Sequence, residues 1–151
     1  MSRLTMRPAT AADLPFIVGL IVADSVVATD DDPTAADPVY AQALAEIDAS
    51  PNEEVWIACL GDQPIGTFQV SYLPSIAGRG RWRGLLEAVH VSPQHRSGGL
   101  GSEMIRWAVE RCRDRGCDRV QLTSNKSRKD AHRFYERLGF VASHEGFKLR
   151  F

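Results

Sequence analysis

The sequence predicts an α/β (α+β) domain in which a mixed sheet carries helices on both faces. Three observations support this. Short stretches with apolar residues at period two alternate with longer ones at period 3.6, in the order βααβββαβαββ. The chain of 151 residues fits one domain, 1–151, long enough to bury a proper core. Its 44% hydrophobic and 25% charged content are those of an ordinary soluble globular protein.

Leu4 and Met6 alternate with polar residues, as a short first strand does. Thr10-Ala11-Ala12-Asp13 has the form of a capping box, with Thr10 as N-cap and Asp13 at the third position. It opens an amphipathic helix whose stripe is Leu14, Ile17, Val18, Ile21 and Val22. From residue 23 to 38 the composition shifts to Asp24, Asp30, Asp31, Asp32 and Asp37 with Pro33 and Pro38, which reads as a solvated connection. A second helix is expected over residues 38–49, stopped by Ser50-Pro51. Residues 54–60 and 65–72 read as antiparallel strands around the turn Gly61-Asp62-Gln63-Pro64, with Val55, Ile57, Ile65, Phe68 and Val70 in the core. The interval 74–84 sets Arg79, Arg81 and Arg83 around Trp82, a pattern of an exposed loop before an edge strand and also of a nucleic-acid or partner surface.

Residues 85–104 read as strand, turn and helix start in direct succession. The strand, residues 85–91, is apolar except for Glu87 and His90 and is bounded by Gly84 and Pro93. Leu100, Met104, Ile105, Ala108, Val109 and Cys112 then recur at helical spacing, and Gly116 is a natural stop. The first turn of a helix presents unpartnered N–H groups and partial positive charge, and glycines let an oxyanion approach them closely. A phosphate is therefore expected at Arg96, Ser97, Gly98, Gly99, Gly101 and Ser102, with Arg96 as a cationic fork. A Walker loop is excluded because no Lys directly follows a glycine. The dinucleotide pattern G-x-G-x-x-G fails because Met104 stands where its third glycine belongs. What remains is R-x-x-G-x-G, carried by Arg96, Gly99 and Gly101.

Beyond this helix, residues 119–124 alternate Val120 and Leu122 with polar residues and suit a strand. Ala131, Phe134, Tyr135 and Leu138 give the i, i+3, i+4, i+7 stripe of a helix closed by Gly139, and Phe140-Val141 and residues 146–151 read as two last short strands. A formal net charge of −1 provides no global polycation for nucleic acid. Cys59, Cys112 and Cys117 form no C-x-x-C pair, and with no signal-like apolar start they point to a reducing cytoplasm without a disulfide framework. His90, His95, His132 and His144 lack ligand spacing, so no metal is expected. No apolar run approaches the ~20 residues that a membrane span needs.

The R-x-x-G-x-G residues resemble the pyrophosphate-binding motif of the GNAT family of acetyltransferases, which use acetyl-CoA. Residues 130–140 (DAHRFYERLGF) closely resemble the GNAT signature A-x-x-F-Y-E-x-x-G-F, in the right order after one helix and one strand. Together the two motifs cover residues 85–140, and Arg7-Pro8-Ala9-Thr10 with Asp13 is similar to the opening of many GNAT chains. This sequence departs from the pattern at Gly98, where many members carry a basic residue, and at Ser97, where glycine is common. Arg128 replaces an asparagine seven positions before the tyrosine, leaving Asn125 or Arg128 to contact the pantetheine.

The resemblance implies a GNAT-like, mostly antiparallel sheet of six to seven strands, with a cleft where the strand carrying Val89 splays from the one carrying Leu122. Backbone groups of Val89 and Val91 would pair with the pantetheine arm, the Val89 N–H would polarise the thioester carbonyl, and Phe134 would lie on the cofactor side. Arg128, Lys129 and Arg133 would meet the 3′-phosphate. Tyr135 matches the general acid that protonates the leaving thiolate. An alkyl ammonium with pKa near ~10 must lose a proton at a cost of about 4 kcal/mol at neutral pH. Glu87 is the first base for this and His90, an imidazole, the second. They point to opposite faces of an undistorted strand, so one at most enters the cleft unless a bulge intervenes.

The resemblance also places the connection between the first two helices beside the acceptor, where its aspartates favour a cation. The expected function is acetyl-CoA-dependent N-acetylation of a small-molecule or peptide amine, without metal, nucleic acid or membrane. Transfer to a hydroxyl, or a non-catalytic acyl-CoA sensor, is the alternative. Pairing of two copies through C-terminal strands is permitted by Phe147, Leu149 and Phe151.

Overall fold

The computed structural model describes residues 2–151. Five strands form one sheet in the order β1-β2-β3-β4-β5: β1 (Leu4–Pro8), β2 (Glu53–Leu60), β3 (Gln63–Leu73), β4 (Trp82–Val91) and β5 (Cys117–Gln121). Neighbours run antiparallel except for the parallel pair β4 and β5. The helices are α1 (Leu14–Asp24), α2 (Val39–Ala49), α3 (Leu100–Asp114) and α4 (Lys129–Arg137). The chain enters α1 through a single 3-10 turn, Ala11–Asp13, where Asp13 Oδ2 accepts the Thr10 N–H at 2.8 Å, the reach-back half of the expected capping box.

Strand alternation assigns the two faces. Ile57 and Cys59 pack with Ile17 of α1, whereas Ala58 joins Phe68, Val70, Tyr72 and Leu86 beneath Met104, Ile105 and Ala108 of α3. Leu138 and the α4 residues Phe134 and Tyr135 pack against this second cluster, so α4 lies beside α3. A half-buried polar clamp ties α3 to the sheet. Glu54 accepts from Arg111 Nη2 at 2.5 Å, from Trp56 Nε1 at 3.2 Å and from the Tyr72 hydroxyl. The Arg111 guanidinium lies 5.3 Å from the centre of the Trp56 ring, and Arg115 lies 4.2 Å from that of Tyr72. At the other end of α3, Glu103 receives the N–H groups of Arg3 at 2.6 Å and Leu4 at 2.9 Å and pins the start of β1. The Ser2 hydroxyl and those N–H groups hold the Glu103 carboxyl down at about 2.

Two expectations are corrected. The sheet has five strands rather than six to seven, because residues 138–151 adopt no strand. Their alternation is that of a strand, but a strand exists only with a ladder partner, and among the described residues none pairs with them. The fifth strand also begins and ends earlier than the expected 119–124, because its register with β4 runs only from Trp82↔Cys117 to Leu85↔Gln121. From Leu86 onward β4 has no strand on that side, and a wedge opens.

A bulge in β4 sets the geometry of the wedge. Gln69 pairs with Glu87 and Thr67 with His90, so Phe68 alone opposes both Ala88 and Val89. Ala88 takes φ +48, a left-handed conformation rare for a residue with a Cβ. Because Thr67 and Gln69 share a face, Glu87 and His90 share it too, the face covered by α1. The arginine-rich interval is engaged within the chain. Arg83 donates to Ser75 Oγ, Arg119 reaches the same atom at 3.4 Å, and Arg81 lies 3.9 Å from Asp118.

Candidate active site

The turn after β4 is fixed from below and open above. Ser92 is buried, donates its N–H to Ile65 O at 2.8 Å, and meets His95 Nδ1 through its hydroxyl at 2.8 Å. After one 3-10 turn, Pro93–His95, the backbone becomes left-handed at Ser97 (φ +66) and again at Gly99 (φ +84), and α3 begins at Leu100. Ser97 thus adopts a glycine-like conformation although it is not glycine. A Cβ on Gly98 would meet nothing within 4 Å, whereas one on Gly101 would lie 3.6 Å from both Phe134 and Val91. The loop is a bare cradle whose far wall is closed by α4.

A cavity of about 800 Å³ lies over this cradle. It extends along the wedge past Val89, His90 and Val91, and across to α4 at Phe134 and Tyr135. Arg96, Ser97, Gly99, Gly101 and Ser102 line its floor. Four cations, Arg96, Arg128, Lys129 and Arg137, face it against two carboxylates, Asp24 and Asp130, so its field favours an anion. The N-terminus of α3 adds the partial positive charge of unpaired N–H groups. Cradle, cations and an unpaired strand edge fit the pyrophosphate, phosphate and amide-bearing arm of a CoA thioester.

The polar groups deeper in the cavity are held by the chain itself. His90 Nδ1 lies 2.7 Å from Asp24 Oδ2, and Arg96 Nη2 donates to Asp24 Oδ1 at 2.6 Å while Arg96 Nε donates to Val91 O at 3.0 Å. The His90 and Asp24 side chains are 11% and 10% exposed, which places the pair out of bulk water. Burial pushes the Asp24 carboxyl up, but hydrogen bonds from His90 and Arg96 outweigh it and hold the group below the ordinary carboxylate range. Tyr135 packs edge-on against Phe134 and Phe140, with ring centres at 5.1 and 5.6 Å. Burial raises its phenol above the ordinary ~10, opposed by the charge of Arg128, so it stays protonated at neutral pH.

A family profile for the acetyltransferase (GNAT) family matches residues 23–140. The chain belongs to the GNAT family. Its fold is that of a crystal structure described as a transcriptional regulator from Bacillus halodurans C-125, 40% identical, covering 98% of this chain and 99% of that one with a TM-score of 0.91. An acetyltransferase from Trypanosoma brucei is 25% identical over 98% of this chain and 99% of its own, with a TM-score of 0.76. Aminoalkylphosphonate N-acetyltransferase from Salmonella typhimurium (strain LT2) is 39% identical over 66 residues, 44% of this chain and 43% of that protein. The chain spans about half the length of the curated relatives that it matches.

Within this GNAT chain, the structure brings Val89, His90, Val91, Arg96, Ser97, Gly99, Gly101, Ser102, Phe134 and Tyr135 to one cavity. Gly98 sits in the same loop between Ser97 and Gly99. Glu87 is exposed and does not line the cavity, although the bulge turns it to the same face as His90. Asn125 is also outside the lining, because its Oδ1 accepts the Ser127 N–H at 2.9 Å and hydroxyl at 2.8 Å and so shapes the entry to α4. Arg128, not Asn125, lines the cavity, together with Lys129, whereas Arg133 is exposed and paired with Asp130. Asp24 and Arg137 were not singled out by the motifs. Asp24 read as the first acid of a solvated connection, and the one signal against that was its place directly after the apolar stripe of α1.

Proposed function

We propose that the protein is an acetyl-CoA-dependent N-acetyltransferase that transfers the acetyl group directly to an amine acceptor. The observation that carries this reading is the single cavity joining the glycine cradle to His90 and Tyr135. When bound, acetyl-CoA supplies the thioester. Arg96, the N–H groups around Gly99 and Gly101 and the hydroxyl of Ser102 bind its pyrophosphate, while Arg128 and Lys129 meet the 3′-phosphate. Val89 and Val91 present backbone groups along the unpaired edge of β4, and the Val89 N–H steadies the carbonyl oxygen as charge develops there.

His90 takes the proton of the acceptor ammonium, and the freed amine attacks the carbonyl carbon, forming the C–N bond as the C–S bond breaks. Tyr135 gives its proton to the leaving sulfur and is reprotonated from solvent, while the nitrogen sheds its second proton to solvent as the amide forms and His90 passes on the first, so the net reaction releases one proton. Glu87, exposed on the same face of β4 as His90, attracts the cationic acceptor rather than taking its proton. The acceptor is a small-molecule amine, a reading supported by the aminoalkylphosphonate relative.

Isothermal titration calorimetry tests the cradle. Gly101→Glu places a carboxylate where a Cβ already touches Phe134 and Val91, and acetyl-CoA affinity is expected to fall by at least about 100-fold, about 2.7 kcal/mol. Wild-type protein that binds neither acetyl-CoA nor CoA overturns the reading.

Two copies pair through the segment after α4. Val141, Phe147 and Leu149 are 81%, 92% and 82% exposed, an apolar display that a monomer rarely leaves in water. Sedimentation is expected to show a dimer, and Phe147→Asp with Leu149→Asp to dissociate it; a monomeric wild type removes the proposal.

A further inference from the structure

Asp24 is the last residue of α1, where the helix dipole places partial negative charge and disfavours a carboxylate. Nothing about the helix calls for an acid there. Its side chain is nonetheless 10% exposed and gives both oxygens to groups outside its own helix, Oδ2 to His90 and Oδ1 to Arg96. An ionised carboxylate only accepts hydrogen bonds, so the proton of the short contact belongs to His90 Nδ1. A neutral imidazole protonated at Nδ1 has its lone pair at Nε2, and among the described residues Nε2 of His90 has no hydrogen-bond partner. The other histidines differ: His95 meets a hydroxyl, His132 a carbonyl and His144 a hydroxyl.

We propose that Asp24 is a positioning residue for acetyl transfer. Its carboxylate, anchored by Arg96, fixes His90 in the Nδ1–H form so that Nε2 takes the acceptor's proton. This rests on the acetyltransferase reading. The same carboxylate joins base and cradle, because the arginine that holds it belongs to R-x-x-G-x-G. Charged and titratable groups around His90 are Asp24 from α1, Glu87 on its own strand, Arg96 from the cradle, and Arg128, Lys129, Asp130, Tyr135 and Arg137 across the cavity. Among the described residues, Asp24 is the one that touches its ring through a hydrogen bond.

The test combines 15N NMR of histidine-labelled protein, with His90 assigned through His90→Gln, and steady-state kinetics. In the wild type at alkaline pH, the His90 shifts are expected to report Nδ1–H; an Nε2–H ring overturns the proposal without any variant. In Asp24→Asn the ring is expected to shift towards Nε2–H and kcat to fall about 100-fold, with acetyl-CoA binding kept within a few-fold. Combining it with His90→Gln should add little further loss. A variant with unchanged kcat or unchanged tautomer overturns the role of Asp24 while leaving the function standing. A wild type that neither binds acetyl-CoA nor acetylates amines overturns both.

Discussion

Tyr135→Phe is expected to lower kcat by about 100- to 1,000-fold, the usual contribution of a positioned proton donor, while acetyl-CoA affinity stays within about twofold. The ring keeps its packing against Phe134 and Phe140, and among the described residues the hydroxyl has no hydrogen-bond partner to lose. Stability should therefore hardly change, and the deficit is chemical. The pH profile adds a second check. An acid needed in its protonated form gives a rate that falls as pH rises through its pKa, and burial moves that limb above the ordinary ~10 for this phenol. Thiol release followed across pH should lose the limb in the variant. Equal kcat in the two proteins would leave Tyr135 as a packing residue.

Glu54→Gln is expected to be the most destabilising single polar change in the sheet, and it touches nothing in the cavity. The carboxylate collects Arg111, Tyr72 and Trp56, and removing its charge leaves Arg111 without an anionic partner beside the Trp56 ring. Breaking a fully buried pair costs about 3–5 kcal/mol, and the 20% and 33% exposure of these side chains reduces that to about 2 kcal/mol. For a chain of this size the melting temperature should fall by roughly 4–8 °C. Burial raises the Glu54 pKa, but the three hydrogen bonds overcome it and leave a net depression. A depressed carboxylate contributes stability that is present above its unfolded pKa of ~4.3 and is lost as pH falls through the folded value. The gap between wild type and variant should therefore be full at neutral pH and close under acid, a trend that thermal melts from pH 7 to 3 would record.

The elements that the sequence identified well are those whose partners lie nearby or whose ends carry local chemistry. Thr10 and Asp13, Ser50-Pro51, Gly116 and Gly139 mark helix boundaries through short-range bonds or backbone freedom, and the helices fall where these residues put them. The cradle was legible for the same reason, since glycine spacing at a strand-to-helix turn is local. Strands are different. Residues 146–151 alternate as well as Leu4 and Met6 do, yet only the second group finds a ladder, opposite Leu60 and Ala58. Asp24 was hidden because its meaning depends on His90, distant in sequence, and on a fold that returns β4 to the end of α1. The choice between Asn125 and Arg128 was not legible because the turn into α4, which engages the Asn125 side chain locally, has no signature in the motif spacing.

Ala88 carries a consequence of another kind. In a regular strand, odd and even positions are separate worlds, and a substitution can change a side chain but cannot move it across the sheet. One extra residue inverts that parity for everything downstream. Flattening the bulge with every residue kept would set Ala88 alone opposite Phe68 and Val89 opposite Thr67, and would send His90 to the α3 side, away from Asp24, whereas deleting Ala88 would leave His90 opposite Thr67. The doubled position opposite Phe68 is therefore what lets Glu87 and His90, three residues apart, share the acceptor face.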